Sequence, residues 1–158
     1  MARWTMILCA AALVLAAGCG GGDRLSKDAY QQELDSAIQK IEQAFSGLGD
    51  SLQKVGSGSG SLDAVADEIG NIQDELTSAA DDLDGVSPPE DVAKTHEKFV
   101  EGMRALAEDL EEFKDAVDDG DKGAINEFAT DAGSLDSVKK LEEASNDLKD
   151  KGYEVGTE

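Results

Sequence analysis

The sequence predicts an all-α protein: an elongated antiparallel bundle of about four helices, preceded by a cleaved signal peptide. Two observations predict this class. Apolar residues recur at alternating spacings of three and four in four successive blocks, which is the period of an amphipathic helix and not of a strand. Serine, proline and glycine, which begin or end helices, bound the blocks. Regular stripes pack at shallow angles, and short connections make neighbouring helices antiparallel.

The first two helices are expected to begin at Ser26 and Ser61, whose hydroxyls can cap the amides of the first turn. A Gly-Ser stretch, residues 56–60, is expected to join them as a flexible connector, and Gly85 to end the second helix. The predicted apolar stripes are Leu34, Ile38, Ile41, Phe45, Leu48, Leu52 and Val55 in the first helix and Leu62, Val65, Ile69, Ile72, Leu76, Ala79 and Leu83 in the second.

The third helix is expected to begin with Ser87 as its N-cap, Pro88 at its first helical position and Glu90 at the capping-box position. Its predicted stripe is Val92, His96, Phe99, Met103, Leu106, Leu110, Phe113 and Val117.

The fourth block begins near Lys122, and its apolar stripe changes phase around Gly133. The sequence from Gly133 to Val138 repeats the pattern that starts the second helix, so a break or kink is expected near Gly133. Gly152 is expected to close the last helix in a left-handed conformation, which lets Tyr153 pack back on it. The stripe is Ile125, Phe128, Ala132 and Leu135, then Val138, Leu141, Ser145 and Leu148.

The N-terminus has the layout of a secretory signal: a basic start containing Arg3, an apolar run from Trp4 to Ala17, and small residues at its end. As a helix, this run rises only about 21 Å, less than the roughly 30 Å hydrocarbon core of a bilayer. A cleaved signal is therefore expected rather than a spanning helix.

The segment Leu15-Ala16-Ala17-Gly18-Cys19 resembles the lipobox of bacterial lipoproteins. The resemblance implies cleavage after Gly18 and diacylation of Cys19, and two acyl chains suffice for stable membrane anchoring. An ordinary secretion signal with an incidental cysteine is the alternative. The expected organisation is a signal peptide over 1–18, a lipidated cysteine and tether over 19–25, and a helical-bundle domain over 26–158.

Composition excludes several functions. The chain has 14 basic and 35 acidic residues and a net charge of −21; loss of residues 1–18 removes only the charge of Arg3 and gives −22. Such acidity excludes sequence-independent nucleic-acid binding. Beyond Cys19 there is no cysteine, so disulfides and thiolate metal sites are excluded there. Motifs of serine hydrolases and phosphate-binding loops are absent, and neither an enzyme nor a cofactor is expected.

Acidic residues supply several candidate cation ligands, and these are weak. Ten acids and no base lie between Lys54 and Lys94, and Asp67, Asp74 and Asp81 recur every seven residues there. This stacking suggests a counter-charge from cations, another helix or a basic partner, while a solvated acidic surface is the alternative. Further weak candidates are Asp118 and Asp121. The acids of this second group do not fit the register of an EF-hand loop.

His96 is the only histidine of the chain and occupies an inward heptad position. It could act as a metal ligand or proton switch, but no second histidine completes a ligand set, and Ala93 stands where a di-iron motif needs a glutamate. A buried histidine hydrogen-bonded to a neighbour or to water is the preferred interpretation.

With its lipobox, its heptads, the stretch from Pro88 to Glu97 and the closing Leu148–Val155, the chain resembles small helical lipoproteins of actinobacteria and their relatives. The resemblance implies a helical fold and an envelope location, but no activity or binding residue. We therefore expect a lipid-anchored extracytoplasmic module of the cell envelope, structural or protein-binding. The alternative is a lipoprotein that binds cations or small solutes through its acidic helix faces. The oligomeric state stays open, because heptad seams serve packing within and between chains equally well.

Overall fold

A computed structural model describes residues 24–156 of the chain. Within that range 83% of residues are helical and there are no strands, which confirms the predicted all-α class. The predictions for the signal peptide, Gly18 and Cys19 lie outside the described residues. The helices are α1 (Lys27–Gly56), α2 (Leu62–Asp84), α3 (Ala93–Asp118), α4 (Lys122–Asp131) and α5 (Asp136–Asp150), with short 3₁₀ turns at Glu90–Val92 and Ala132–Ser134.

Contacts between helices show that neighbours along the chain run antiparallel. Lys40 of α1 pairs with Asp82 near the end of α2, whereas Gly47, farther along α1, lies beside Glu68 near the start of α2. In the same way α3 runs against α2, since Gln73 contacts Ala107 whereas Asp81 contacts Arg104. Likewise α5 runs against α3, since Ser137 contacts Asp109 whereas Leu141 lies beside Gly102. The second and third helices are central, each packing against helices on two sides.

Most helix boundaries follow the local signals in the sequence. The hydroxyls of Ser26 and Ser61 each accept a hydrogen bond from a first-turn amide at 3.2 Å, as predicted. The predicted break in the fourth block is also confirmed, since Ala132–Leu135 separate α4 from α5. Gly152 has a φ of +78°, and the amide of Tyr153 donates to the carbonyl of Leu148 at 3.0 Å. This geometry is the expected Schellman closure of α5.

The predicted start of the third helix is wrong. Ser87 does not cap it, and the helical turn begins only at Glu90. The reason is the proline pair: Pro89 disfavours helical geometry at Pro88, and neither proline has an amide for a serine to cap. The carbonyl of Ser87 instead accepts the amide of Leu25 at 2.8 Å, which holds the start of the described chain against the α2–α3 connection.

The predicted stripe of α1 is only partly buried. Leu34 is fully buried, but Phe45 and Leu52 are 38% and 48% exposed. Tyr30 and Ala37 are buried as well, so the buried face of α1 is turned away from the predicted stripe. The side that carries Ile38, Phe45 and Leu52 is consequently more exposed than predicted.

Candidate functional site: the open seam along α1

The bundle is open along one side, between its first and last helices. Along their lengths α1 and α5 do not pack closely against each other, although α1 packs on α2 and α5 packs on α3. A solvent-accessible cavity of about 540 Å³ lies between them. Its volume falls in the usual range for ligand pockets. The apolar lining consists of Ile38 and Ile41 of α1, Leu76 of α2, Phe99, Met103 and Leu106 of α3, Val138 and Leu141 of α5, and Val155.

The C-terminal tail closes one end of this cavity. Tyr153 packs edge-on against Tyr30 of α1, with 5.5 Å between the ring centroids. The side-chain amide of Gln31 donates to the carbonyl of Glu154, and the amide of Glu154 donates back to the Gln31 side-chain oxygen, both at 2.8 Å. Val155 then contributes to the cavity wall. The tail therefore joins α1 to the end of α5 where the two helices otherwise stay apart.

A buried polar pair supports the same end of the bundle. The hydroxyl of Tyr30 lies 2.9 Å from Nδ1 of His96, and both side chains are buried. Burial lowers the pKa of His96, an effect that the carboxylates of Asp84 and Glu97 partly offset. Burial likewise raises the pKa of Tyr30. The neutral imidazole is thus a hydrogen-bonded structural residue, which agrees with the preferred interpretation of the sequence.

At the other end of the cavity, the apolar face of α1 continues into solvent. Phe45 and Leu52 are exposed and follow Ile38 at intervals of seven residues. We call the set Ile38, Ile41, Phe45, Leu48 and Leu52, together with the adjoining cavity, the open seam. From Ile38 to Leu52 it is about 21 Å long, or four helical turns.

The short helix α4 does not cover this extension. It packs on α3, where the rings of Phe113 and Phe128 stack with 4.3 Å between their centroids. No residue of α4 is fully buried. Helix α5, which also packs on α3, begins only at the level of Asp109, to which Ser137 donates a hydrogen bond. The far half of the α1 face is therefore left without a helix opposite it.

Acidic side chains predominate at the rim of the seam. The ionisable residues that line the main cavity and the smaller cavity beside the tail are four acids and one base. They are Asp35, Glu42, Glu142, Glu154 and Lys149. The rim thus has the same sign as the net charge of the whole chain.

The five weak cation candidates are not brought together. Asp81 pairs with Arg104 of α3 at 2.8 Å, and Asp118 pairs with Lys114 at 2.7 Å. Asp121 accepts hydrogen bonds from two amides as the N-cap of α4. Between residues 24 and 156, no group of three or more His, Cys, Asp or Glu side chains is arranged to hold a metal ion.

The remaining two cation candidates, Asp67 and Asp74, lie on α2. Both are exposed. The hydrogen bond to Asp118 is the main cause that raises the pKa of Lys114, and the charge of Asp67 adds a smaller contribution. Part of the counter-charge expected for the acidic second helix thus comes from basic residues of α3.

The heptad pattern predicts the apolar residues of the seam, but as core residues rather than as an open face. One signal could have indicated an open face. Tyr30, Ala37 and Ala44 form a second stripe beside the predicted one, so the apolar surface of α1 is wider than one helix contact needs.

No family model, curated protein or solved structure matches the chain. The resemblance to small helical lipoproteins stays a prediction. Among the described helices, none is long and apolar enough to cross a bilayer.

Proposed function

We propose that the chain is a lipid-anchored, extracytoplasmic helical-bundle lipoprotein that acts as a protein-interaction module of the cell envelope. The open seam is the observation that carries this proposal. Large contiguous apolar patches on the surface of soluble monomers often serve binding. Here such a surface extends over four turns of one helix, with Phe45 and Leu52 exposed beyond the cavity.

The place where the chain enters the bundle supports anchoring through Cys19. The guanidinium of Arg24 donates to the carbonyl of Pro88 at 3.1 Å, and the adjacent amide of Leu25 donates to Ser87. Cys19 precedes Arg24 by five residues, which span at most about 18 Å. An acylated Cys19 would hold the α2–α3 connection near the membrane, with the seam extending away from it.

Intact-mass analysis of the protein extracted from membranes of its host tests the anchoring. We expect an N-terminus at Cys19 with the added mass of acyl chains. Cys19→Ala should abolish both the cleavage and the added mass, because it removes the acylated sulfur. Cys9→Ala is the matched control, since Cys9 lies in the signal segment and should leave processing unchanged. An unacylated N-terminus at another residue would contradict the proposal.

A second candidate function is the binding of a small apolar solute, and the cavity of about 540 Å³ favours it. The cation-binding form of this alternative has less support, because Asp81 and Asp118 already pair with basic side chains. Native mass spectrometry of protein purified from its host distinguishes the solute candidate. A stoichiometric small molecule that is lost in a Met103→Glu variant would support it, and its absence at micromolar protein concentration would exclude it.

A further inference from the structure

We infer that the open seam is the docking site for an amphipathic helix with a basic polar face, contributed by a partner protein. This inference rests on the proposed function and deepens it by specifying the chemistry of the partner. Three features support it: the heptad spacing of the seam residues, the length of the seam that no described helix covers, and the acidic charge of its rim.

The seam has the period that packs against another helix. Its α1 residues are spaced 3-4-3-4 from Ile38 to Leu52, as in the a and d positions of a coiled coil. A helix that binds such a groove inserts anchors spaced three, four and seven residues apart. Beside Ile38 and Ile41, the cavity above Met103 and Leu141 provides the depth for these anchors.

The length of the seam distinguishes a helix from a compact ligand. A ligand confined to the cavity would contact Ile38 and Ile41 but leave Phe45 and Leu52 exposed. One helix of about four turns covers both regions. The chain itself offers no such helix in its described part, since α5 has 15 residues against the 30 of α1 and α4 packs on α3.

The acidic charge of the seam rim determines which kind of partner helix it favours. The same heptad spacing would suit a second copy of this chain, but each copy carries a net charge of −21 and the rim of its seam is acidic. Like charges that face each other across an interface oppose association, whereas a basic partner is attracted and steered towards the seam. A helix whose apolar stripe is flanked by a basic polar face fits both the heptad spacing of the seam and the acidity of its rim.

Designed peptides test the inference on the full chain reconstituted in phosphatidylcholine nanodiscs. The probe is a fluorescent peptide of about three heptads with Leu at a and d and Lys at the outward positions. One control peptide has the same composition in scrambled order, and the other has Glu in place of Lys. We expect micromolar binding of the Lys heptad peptide by fluorescence anisotropy, weaker at high salt, and binding at least about ten-fold weaker for both controls.

Variants of the chain locate the binding. The double variant Phe45→Ser, Leu52→Ser should bind the Lys heptad peptide about ten-fold more weakly or worse, because it lacks the exposed apolar anchors. Leu62→Ser is the matched control: Leu62 is 37% exposed but belongs to α2. Circular dichroism of each variant shows whether the helical fold is kept.

Three results would overturn the inference: equal binding of the scrambled peptide, binding that the Phe45 and Leu52 changes leave intact, or a dimer of the chain that these changes dissociate. The last result would assign the seam to a second copy. Failure of the proposed anchoring shows separately, as an unacylated Cys19, and in that case the peptides are measured on the chain without nanodiscs.

Discussion

At the residue scale, Tyr30 connects three parts of the molecule. Its ring packs edge-on against His96 of α3 and against Tyr153 of the tail, and the amino group of Lys27 lies 4.8 Å from the centre of the Tyr153 ring. The Tyr30–His96 hydrogen bond is buried, where an unpaired polar group would cost about 1–3 kcal/mol. Tyr30 therefore holds the tail on the bundle at the end where the chain enters.

The burial of His96 predicts a dependence of stability on pH. The pKa of His96 is lower in the folded protein than its ordinary value of about 6.5. The stability that comes from the neutral ring is present above the unfolded-state pKa and is lost as the pH falls through the folded-state pKa. The unfolding free energy of the wild type, measured in urea relative to a His96→Gln variant, should therefore fall as the pH drops below the unfolded-state pKa of about 6.5.

This comparison isolates one residue, because His96 is the only histidine in the chain. The carboxylates that do not act on the ring affect wild type and variant alike, so they cancel in the difference, and only Asp84 and Glu97 contribute to it through His96. A difference that stays constant across this pH range would mean that the ring titrates equally well in the folded and unfolded states.

At the element scale, the sequence predicts most features that depend on local chemistry, apart from the start of the third helix at the proline pair, and it misses what depends on the pairing of helices. The caps at Ser26 and Ser61, the break near Gly133 and the closure at Gly152 depend on residues within a few positions of each other, and all are found. The exposure of Phe45 depends on how the whole of α1 is placed relative to the other helices. No short stretch of sequence contains that information, and the candidate site was missed for this reason.

The contact between α3 and α5 depends on a glycine. A Cβ at Gly102 would lie 2.9 Å from Cγ and Cδ2 of Leu141 and 3.3 Å from its backbone nitrogen. Overpacking of this kind costs about 1–3 kcal/mol, more than the roughly 1 kcal/mol that alanine gains in a helix. Gly102→Ala should therefore lower the unfolding free energy by about 1 kcal/mol, measured by urea denaturation.

The matched control lies on the neighbouring helix. A Cβ at Gly70 of α2 would meet only the side chain of Lys114, at an ordinary distance of 3.7 Å. Gly70→Ala should thus raise the unfolding free energy by about 0.5–1 kcal/mol. If both variants were stabilised to the same extent, α5 would not pack on α3 at this position.

At the scale of the whole molecule, acidic charge and apolar surface have different consequences. Part of the acidity of α2 is neutralised within the bundle, where Arg104 contacts both Asp81 and Asp84. These exposed pairs contribute little to stability. They show, however, that some acidic side chains of α2 already have a basic partner within the bundle. The apolar side chains of Phe45 and Leu52, by contrast, are exposed to solvent on α1. The apolar seam, rather than the acidic helix, is the surface for which we propose a binding function.

The most direct test of this assignment is site-specific photo-crosslinking of the full chain in membranes of its host. A photoreactive phenylalanine analogue at position 45 should give one discrete adduct, and the crosslinked partner peptide should have an apolar helical period flanked by basic residues. The same analogue at position 62 should give none, because Leu62 is similarly exposed but lies outside the seam. No adduct at position 45, or the same adducts from both positions, would contradict the account.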